Sequence, residues 1–163
     1  MFANSAGLSG VVESSFGYLE QLTYLDLSGN ELLGDVSTFS GLKNLRFLDL
    51  SDNALSGNFP TNSPWPLAER VNLSGNALSG ALPASINALS SLRYLNLGRN
   101  SLSGGLPASL EYLETLEKIN LSENGFTGPI SESLGTFLAT REPVLTANKF
   151  NCPYPSALVD YFP

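Results

Sequence analysis

An asparagine returns every 23 or 24 residues along most of this chain, as Asn30, Asn53, Asn76, Asn100, Asn124 and Asn148. The central unit reads Leu92-x-x-Leu95-x-Leu97-x-x-Asn100-x-Leu102-Ser103-Gly104-x-Leu106-Pro107, and Leu116 starts the pattern again. A period of this length describes stacked layers, each able to bury its apolar face only against its neighbours. Leu95 and Leu97 alternate like a short strand with one inward face. Their counterparts are Leu25 and Leu27, Leu48 and Leu50, Val71 and Leu73, and Ile119 and Leu121. Stacked in register, such strands form a parallel sheet with about 4.8 Å per layer. The asparagine after each strand is expected to turn inward, where its amide pairs with backbone groups that the bend would otherwise bury unbonded.

The second half of the unit is more specific. Leu55-Ser56-Gly57-Asn58-Phe59-Pro60, Leu78-Ser79-Gly80-Ala81-Leu82-Pro83 and Leu102-Ser103-Gly104-Gly105-Leu106-Pro107 repeat one motif, with Phe126-Thr127-Gly128-Pro129-Ile130 a looser copy. The glycine suits a tight bend, and the proline keeps a helix from starting early. This Leu-Ser-Gly-x-φ-Pro segment (φ apolar) resembles the plant-type leucine-rich repeat of receptor-kinase ectodomains and polygalacturonase-inhibiting proteins. The resemblance covers nearly the whole chain. It implies an α/β solenoid: a right-handed horseshoe with a concave parallel β-sheet, a second short strand per unit, and a convex side of 3₁₀ or short helical turns. About six repeats of 23–24 residues are expected in a single domain over 1–163. Residues 1–21 form a partial first repeat, 22–139 five regular ones, and 140–163 a degenerate last repeat with a C-terminal cap.

The ends depart from the pattern. Ala6 stands where an asparagine should be, 24 residues before Asn30, so no N-terminal cap is evident and a partner or further chain is expected to cover that edge. The segment from Met1 to Ser5 has neither the basic nor the apolar region of a signal peptide. In the last unit Pro143 replaces the strand leucine, and Cys152, expected to pack in the cap, has no second cysteine to pair with. In one irregular unit, Pro64-Trp65-Pro66 interrupts the convex pattern. Trp65 either fills the core where the counterpart of Ile86 and Leu110 is missing, or serves as an exposed convex anchor for a partner.

Composition removes several functions. With no histidine, imidazole acid–base chemistry and His-based triads are absent, and one cysteine cannot build the usual zinc cluster. A net charge of −7 without a basic run lacks the footprint of a nucleic-acid binder, and no apolar stretch is long enough to span a bilayer. No metal or cofactor is expected. Asp26 and Asp49 share one position in adjacent strands and approach the spacing of a retaining glycosidase pair. That column continues as Asn72, Asn96 and Asn120, so the chain is read as non-enzymatic.

Residues flanking the inward leucines must point out of the concave face. One column is Tyr24, Phe47, Arg70, Tyr94 and Lys118; the next is Asp26, Asp49, Asn72, Asn96 and Asn120; a third contains Asp52, Arg99 and Glu123. Aromatics and arginine on one rigid face, with acids beside them, suit a protein or peptide partner. The expected function is therefore a recognition or scaffold module, a subunit of a larger assembly or part of a longer chain. A receptor-ectodomain fragment or cell-wall-enzyme inhibitor is the alternative, and a carbohydrate- or ice-binding solenoid a further one. Asn72-Leu73-Ser74 and Asn120-Leu121-Ser122 are glycosylation sequons that the repeat itself generates. The resemblance implies a secreted, extracytosolic or organelle-lumen setting over the cytoplasm.

Overall fold

The computed structural model describes residues 1–61 and 64–161, so Asn62, Ser63 and the terminal Phe162-Pro163 lie outside the described residues. Among the described residues, twelve short strands follow one another: β1 (Ser9–Val11), β2 (Tyr24–Asp26), β3 (Glu31–Asp35), β4 (Phe47–Asp49), β5 (Ala54–Ser56), β6 (Arg70–Asn72), β7 (Ser79–Gly80), β8 (Tyr94–Asn96), β9 (Ser101–Gly104), β10 (Lys118–Asn120), β11 (Gly125–Gly128) and β12 (Lys149–Phe150). The even-numbered strands from β2 to β10 form one parallel sheet in the order β2-β4-β6-β8-β10, with Leu25, Leu48, Val71, Leu95 and Ile119 side by side. Single parallel bridges, Phe2 to Asp26 and Asn120 to Val144, lengthen this sheet at both ends. The Leu-Ser-Gly segments form the flanking ladders β1-β3-β5 and β7-β9-β11-β12, linked by the Asn58–Ser79 bridge. The motif glycine takes a left-handed conformation, with φ of 89° at Gly57, 74° at Gly80 and 76° at Gly104, where a Cβ would be strained.

The core lies between the two ladders and the convex turns. Leu25, Leu48, Leu50, Val71, Leu73, Leu95, Leu97, Ile119 and Leu121 are buried, as the alternation requires. Pro143 is buried at the leucine position of the last unit, where only Val144 still bridges to the sheet. The expected asparagine ladder forms. Asn53 Nδ2 donates to the carbonyls of Leu27, Leu50 and Ser51, and its Oδ1 accepts from the Leu32 N–H. Asn76, Asn100, Asn124 and Asn148 repeat this with Leu55, Leu78, Leu102 and Phe126 as the amide donors.

Convex turns are 3₁₀ at Ser14–Tyr18, Val36–Gly41, Ala84–Ala88 and Ala108–Tyr112, and α-helical in α1 (Glu132–Ala139), which Ser131 caps through the Leu134 N–H. The first two turns approach so closely that a Cβ on Gly41 would lie 2.2 Å from the Gly17 carbonyl oxygen. Trp65 is fully buried, which overturns its reading as an exposed convex anchor. Its indole N–H donates to the Phe39 carbonyl at 2.9 Å, and its ring meets Phe59 edge-on. By backbone register it occupies the place of Leu42 and Leu89, because the Ala68 N–H bonds to Trp65 as Leu45 bonds to Leu42 and Leu92 to Leu89. The wide ring from that place supplies volume to an irregular layer. Cys152 also departs from expectation: it is exposed, beside Tyr154, because Pro155 and Leu158 fill the cap interior against α1.

Candidate functional site

The concave sheet presents four columns, and they differ in how much the fold itself consumes them. In the first, Tyr24, Phe47, Arg70, Tyr94 and Lys118 stand in strict register. The rings of Tyr24 and Phe47 are parallel at 4.1 Å, and Phe2 lies 4.5 Å from Tyr24 at the other end. The Arg70 guanidinium sits 5.7 Å from the Phe47 ring centre and 4.0 Å from that of Tyr94. Lys118 ends the stack in an ion pair with Glu142 at 2.7 Å, which raises the ammonium pKa. The rings of Tyr24, Phe47 and Tyr94 are half-buried; Phe2, Arg70 and Lys118 are exposed. Burial and then the nearby Asp26 and Asp49 carboxylates push the Tyr24 phenol above its ordinary value, with Arg70 opposing.

The second column is largely committed to the bend after each strand. Asp26, Asp49, Asn72 and Asn120 each accept from the backbone N–H and hydroxyl of the serine two residues on, and Asn96 accepts from the Gly98 N–H. These are Asx turns, which Leu-Asp-Leu-Ser spelled out as an Asp/Asn-x-Ser spacing. Asn72 is buried, and its Nδ2 donates to Asp49 Oδ2 at 2.9 Å, so that sequon amide is already engaged. The Asn120 side chain is half-buried and packs over Gly98.

The third column holds a left-handed backbone in every layer: Ser5, Gly29, Asp52, Gly75, Arg99, Glu123 and Ala147 all have φ between 48° and 64°. Arg99 reaches across the glycine between them to pair with Asp52 at 2.7 Å. A Cβ on Gly75 would fall 2.4 Å from Asp52 Oδ1, so the bare glycine makes room for this bridge. The alternation of glycine with polar residues at this position was the available signal.

A fourth column was missed in the sequence. One residue ahead of the stacked column, Arg46, Glu69, Arg93, Glu117 and Arg141 alternate in sign along the edge where the strands begin. Arg46 bonds Glu69 at 2.7 Å, Arg93 Nε bonds Glu117 at 2.9 Å, and Arg141 stacks on Phe137. Reading the sequence at its own period reveals the alternation.

A leucine rich repeat family profile matches residues 3–55 and 66–126, and the chain belongs to the leucine-rich-repeat family. Its motif is of the plant type, and plant receptor ectodomains are among its solved neighbours. The ectodomain of the Arabidopsis receptor kinase HAESA, solved with the peptide hormone IDA and the co-receptor SERK1, is 31% identical over 93% of this chain and 26% of that one, with a TM-score of 0.81. PEPR1 in its complex with AtPEP1 is 35% identical over 88% of this chain and 21% of that one, at 0.78. A plant ice-binding protein is 27% identical over 88% and 46%, at 0.75. The chain spans about a quarter of the length of the HAESA and PEPR1 chains. No curated protein matches the sequence.

Proposed function

We propose that this domain is a non-enzymatic recognition module that binds a protein or peptide along the concave sheet. The observation that carries this reading is the stack Phe2–Tyr24–Phe47–Arg70–Tyr94, held in register by four neighbouring strands and the Phe2–Asp26 bridge and partly open to solvent. Its side chains have already given up much of their freedom, so a partner pays little ordering entropy. Aromatic rings and arginine are the groups that concentrate binding energy in interfaces. The peptide hormone and the AtPEP1 bound by the two receptors above support the same reading. Exposed apolar side chains on the first layer, Phe2, Leu8, Val11 and Leu19, support a second partner surface of the kind a neighbouring subunit covers.

The test is selection of a displayed random peptide library on the whole chain. Enriched peptides should lose binding to the double variant Phe47→Ala, Tyr94→Ala, while its melting temperature stays close to wild type. Binding that survives the double variant would move the site elsewhere.

One observation favours a second reading, ice or polysaccharide binding: Ser56, Ser79, Ser103 and Thr127 recur at one repeat position on the flanking ladders, all exposed. Leu33 interrupts the row. A thermal-hysteresis measurement on wild type and Ser79→Tyr, Ser103→Tyr tests ice binding, since a binding plane must stay flat, and a glycan array on the same proteins tests polysaccharide binding.

A further inference from the structure

We infer that Arg70 is where the concave face reads charge, and that it takes a single carboxylate on an otherwise neutral or basic extended peptide. This deepens the concave-face reading and rests on it. Arg70 lies on β6, the middle strand of the sheet, clamped between Phe47 and Tyr94. A guanidinium stacked on ring faces keeps its in-plane N–H donors available while losing rotamer freedom before any ligand arrives.

Its neighbours leave those donors unanswered. The other cations of the concave face and its strand-start edge from Arg46 to Lys118 are paired, Arg46 with Glu69, Arg93 with Glu117, Arg99 with Asp52 and Lys118 with Glu142. The acids closest to Arg70 in the lattice of strands are engaged: Glu69 holds Arg46, while Asp49 accepts from Ser51 through Oδ1 and from Asn72 through Oδ2. Among the described residues, no carboxylate forms an ion pair with Arg70. An exposed, pre-oriented guanidinium fork without an acid is complementary to a planar carboxylate, which it can hold through two parallel hydrogen bonds.

The surroundings narrow the partner. A net charge of −7, with Asp26, Asp49, Asp52 and Glu123 near this face, repels an acidic run. A phosphoryl group would draw on a second free cation, and the concave cations around Arg70 are paired. Residues beside the partner's acid would lie over Phe47 and Tyr94 and should be apolar or aromatic.

The peptide library is therefore selected on wild type, Arg70→Gln and Arg70→Lys, each checked for an unchanged melting temperature. Wild type should enrich peptides with Asp or Glu at one fixed position flanked by apolar residues. Changing that acid to its amide in a synthetic consensus peptide should weaken binding about tenfold or more on wild type and hardly at all on Arg70→Gln, the signature of a coupled pair. Arg70→Lys should recover only part, because an ammonium neither stacks as well nor forks. Because the amide substitution is made in the peptide, it reads out on wild type even if a variant unfolds. Enriched peptides without a fixed acid, or with an acid whose removal costs the same on Arg70→Gln, overturn the inference; if they still need Phe47 and Tyr94, the concave-face reading stands. Peptides indifferent to all three residues, or no enrichment, overturn both.

Discussion

Asn100→Ala isolates what one rung of the asparagine ladder contributes. The side chain makes four hydrogen bonds, from Nδ2 to the carbonyls of Leu73, Leu97 and Gly98, and from the Leu78 N–H to Oδ1 at 3.0 Å. They are not equal in consequence. Leu73 O also accepts from Asn76, Leu97 O from Asn124, and Gly98 O from the Gly75 N–H, so each carbonyl keeps one partner when Asn100 is truncated. The Leu78 N–H has Asn100 Oδ1 as its acceptor and would be left unpaired at a buried residue. One orphaned buried donor costs about 1–3 kcal/mol, and the lost second bonds to three carbonyls add a few tenths each, so about 2–3 kcal/mol is expected. Urea unfolding of Asn100→Ala should show the midpoint lowered by this amount divided by an unchanged m-value. Asn44→Ala is the control, because its one hydrogen bond, from Nδ2 to the Glu20 carbonyl, is exposed and should cost about 0.5 kcal/mol or less. Equal losses for the two variants would refute the claim that the ladder, and not asparagine content, secures the bend.

Four further outcomes follow from the same geometry. Trp65→Phe should lower stability by about 1–3 kcal/mol in denaturant unfolding, since it leaves a gap beside Phe59 and removes one of the two donors to the Phe39 carbonyl, which keeps the Leu42 N–H. Gly41→Ala should cost about 2 kcal/mol or more, because its Cβ would meet the Gly17 backbone oxygen, whereas Gly105→Ala, with nothing nearer than 3.8 Å, should be neutral or slightly stabilising. The Tyr24 phenol is raised above 10.0, so the native state keeps that proton longer than the unfolded chain; its contribution is fully present below about pH 10 and is lost as pH rises through the folded value. Midpoints measured from about pH 9 to 11 should therefore fall less steeply in Tyr24→Phe. Glu123→Gly should raise the unfolding free energy by about 0.5–1 kcal/mol in denaturant unfolding, since it relieves a left-handed backbone at a position where other layers use Gly29 and Gly75.

Positions that recur in every layer were legible, because the period averages over units. The leucine pairs, the inward asparagines and the Leu-Ser-Gly bends could be read off the sequence for this reason. Trp65 was legible only as a pair of alternatives. The flanking prolines exclude a helical turn, but choosing core over surface depends on the volume that neighbouring layers leave. The assignment of Asp52, Arg99 and Glu123 to a concave contact column described their side and missed their backbone, which the glycines at 29 and 75 already implied. The edge pairs of Arg46 with Glu69 and Arg93 with Glu117 join residues 23 and 24 positions apart, so a window shorter than the repeat cannot see them. The contact between Gly17 and Gly41 depends on how two irregular turns settle, and no local pattern encodes it.

The columns also show where this fold leaves room for specificity. Asparagines of the ladder are held by the backbone, the Asp/Asn column by the serines after it, and the left-handed column by its own conformation. Changing any of these perturbs a bend that every adjacent layer shares. The column from Tyr24 to Lys118 is different: it varies between aromatic and basic residues without altering the strand register, and it makes no hydrogen bond that the bends require. It can therefore change while the solenoid does not. A recognition surface needs that freedom, and among the described residues of this column Arg70 carries a charge without an ion-pair partner.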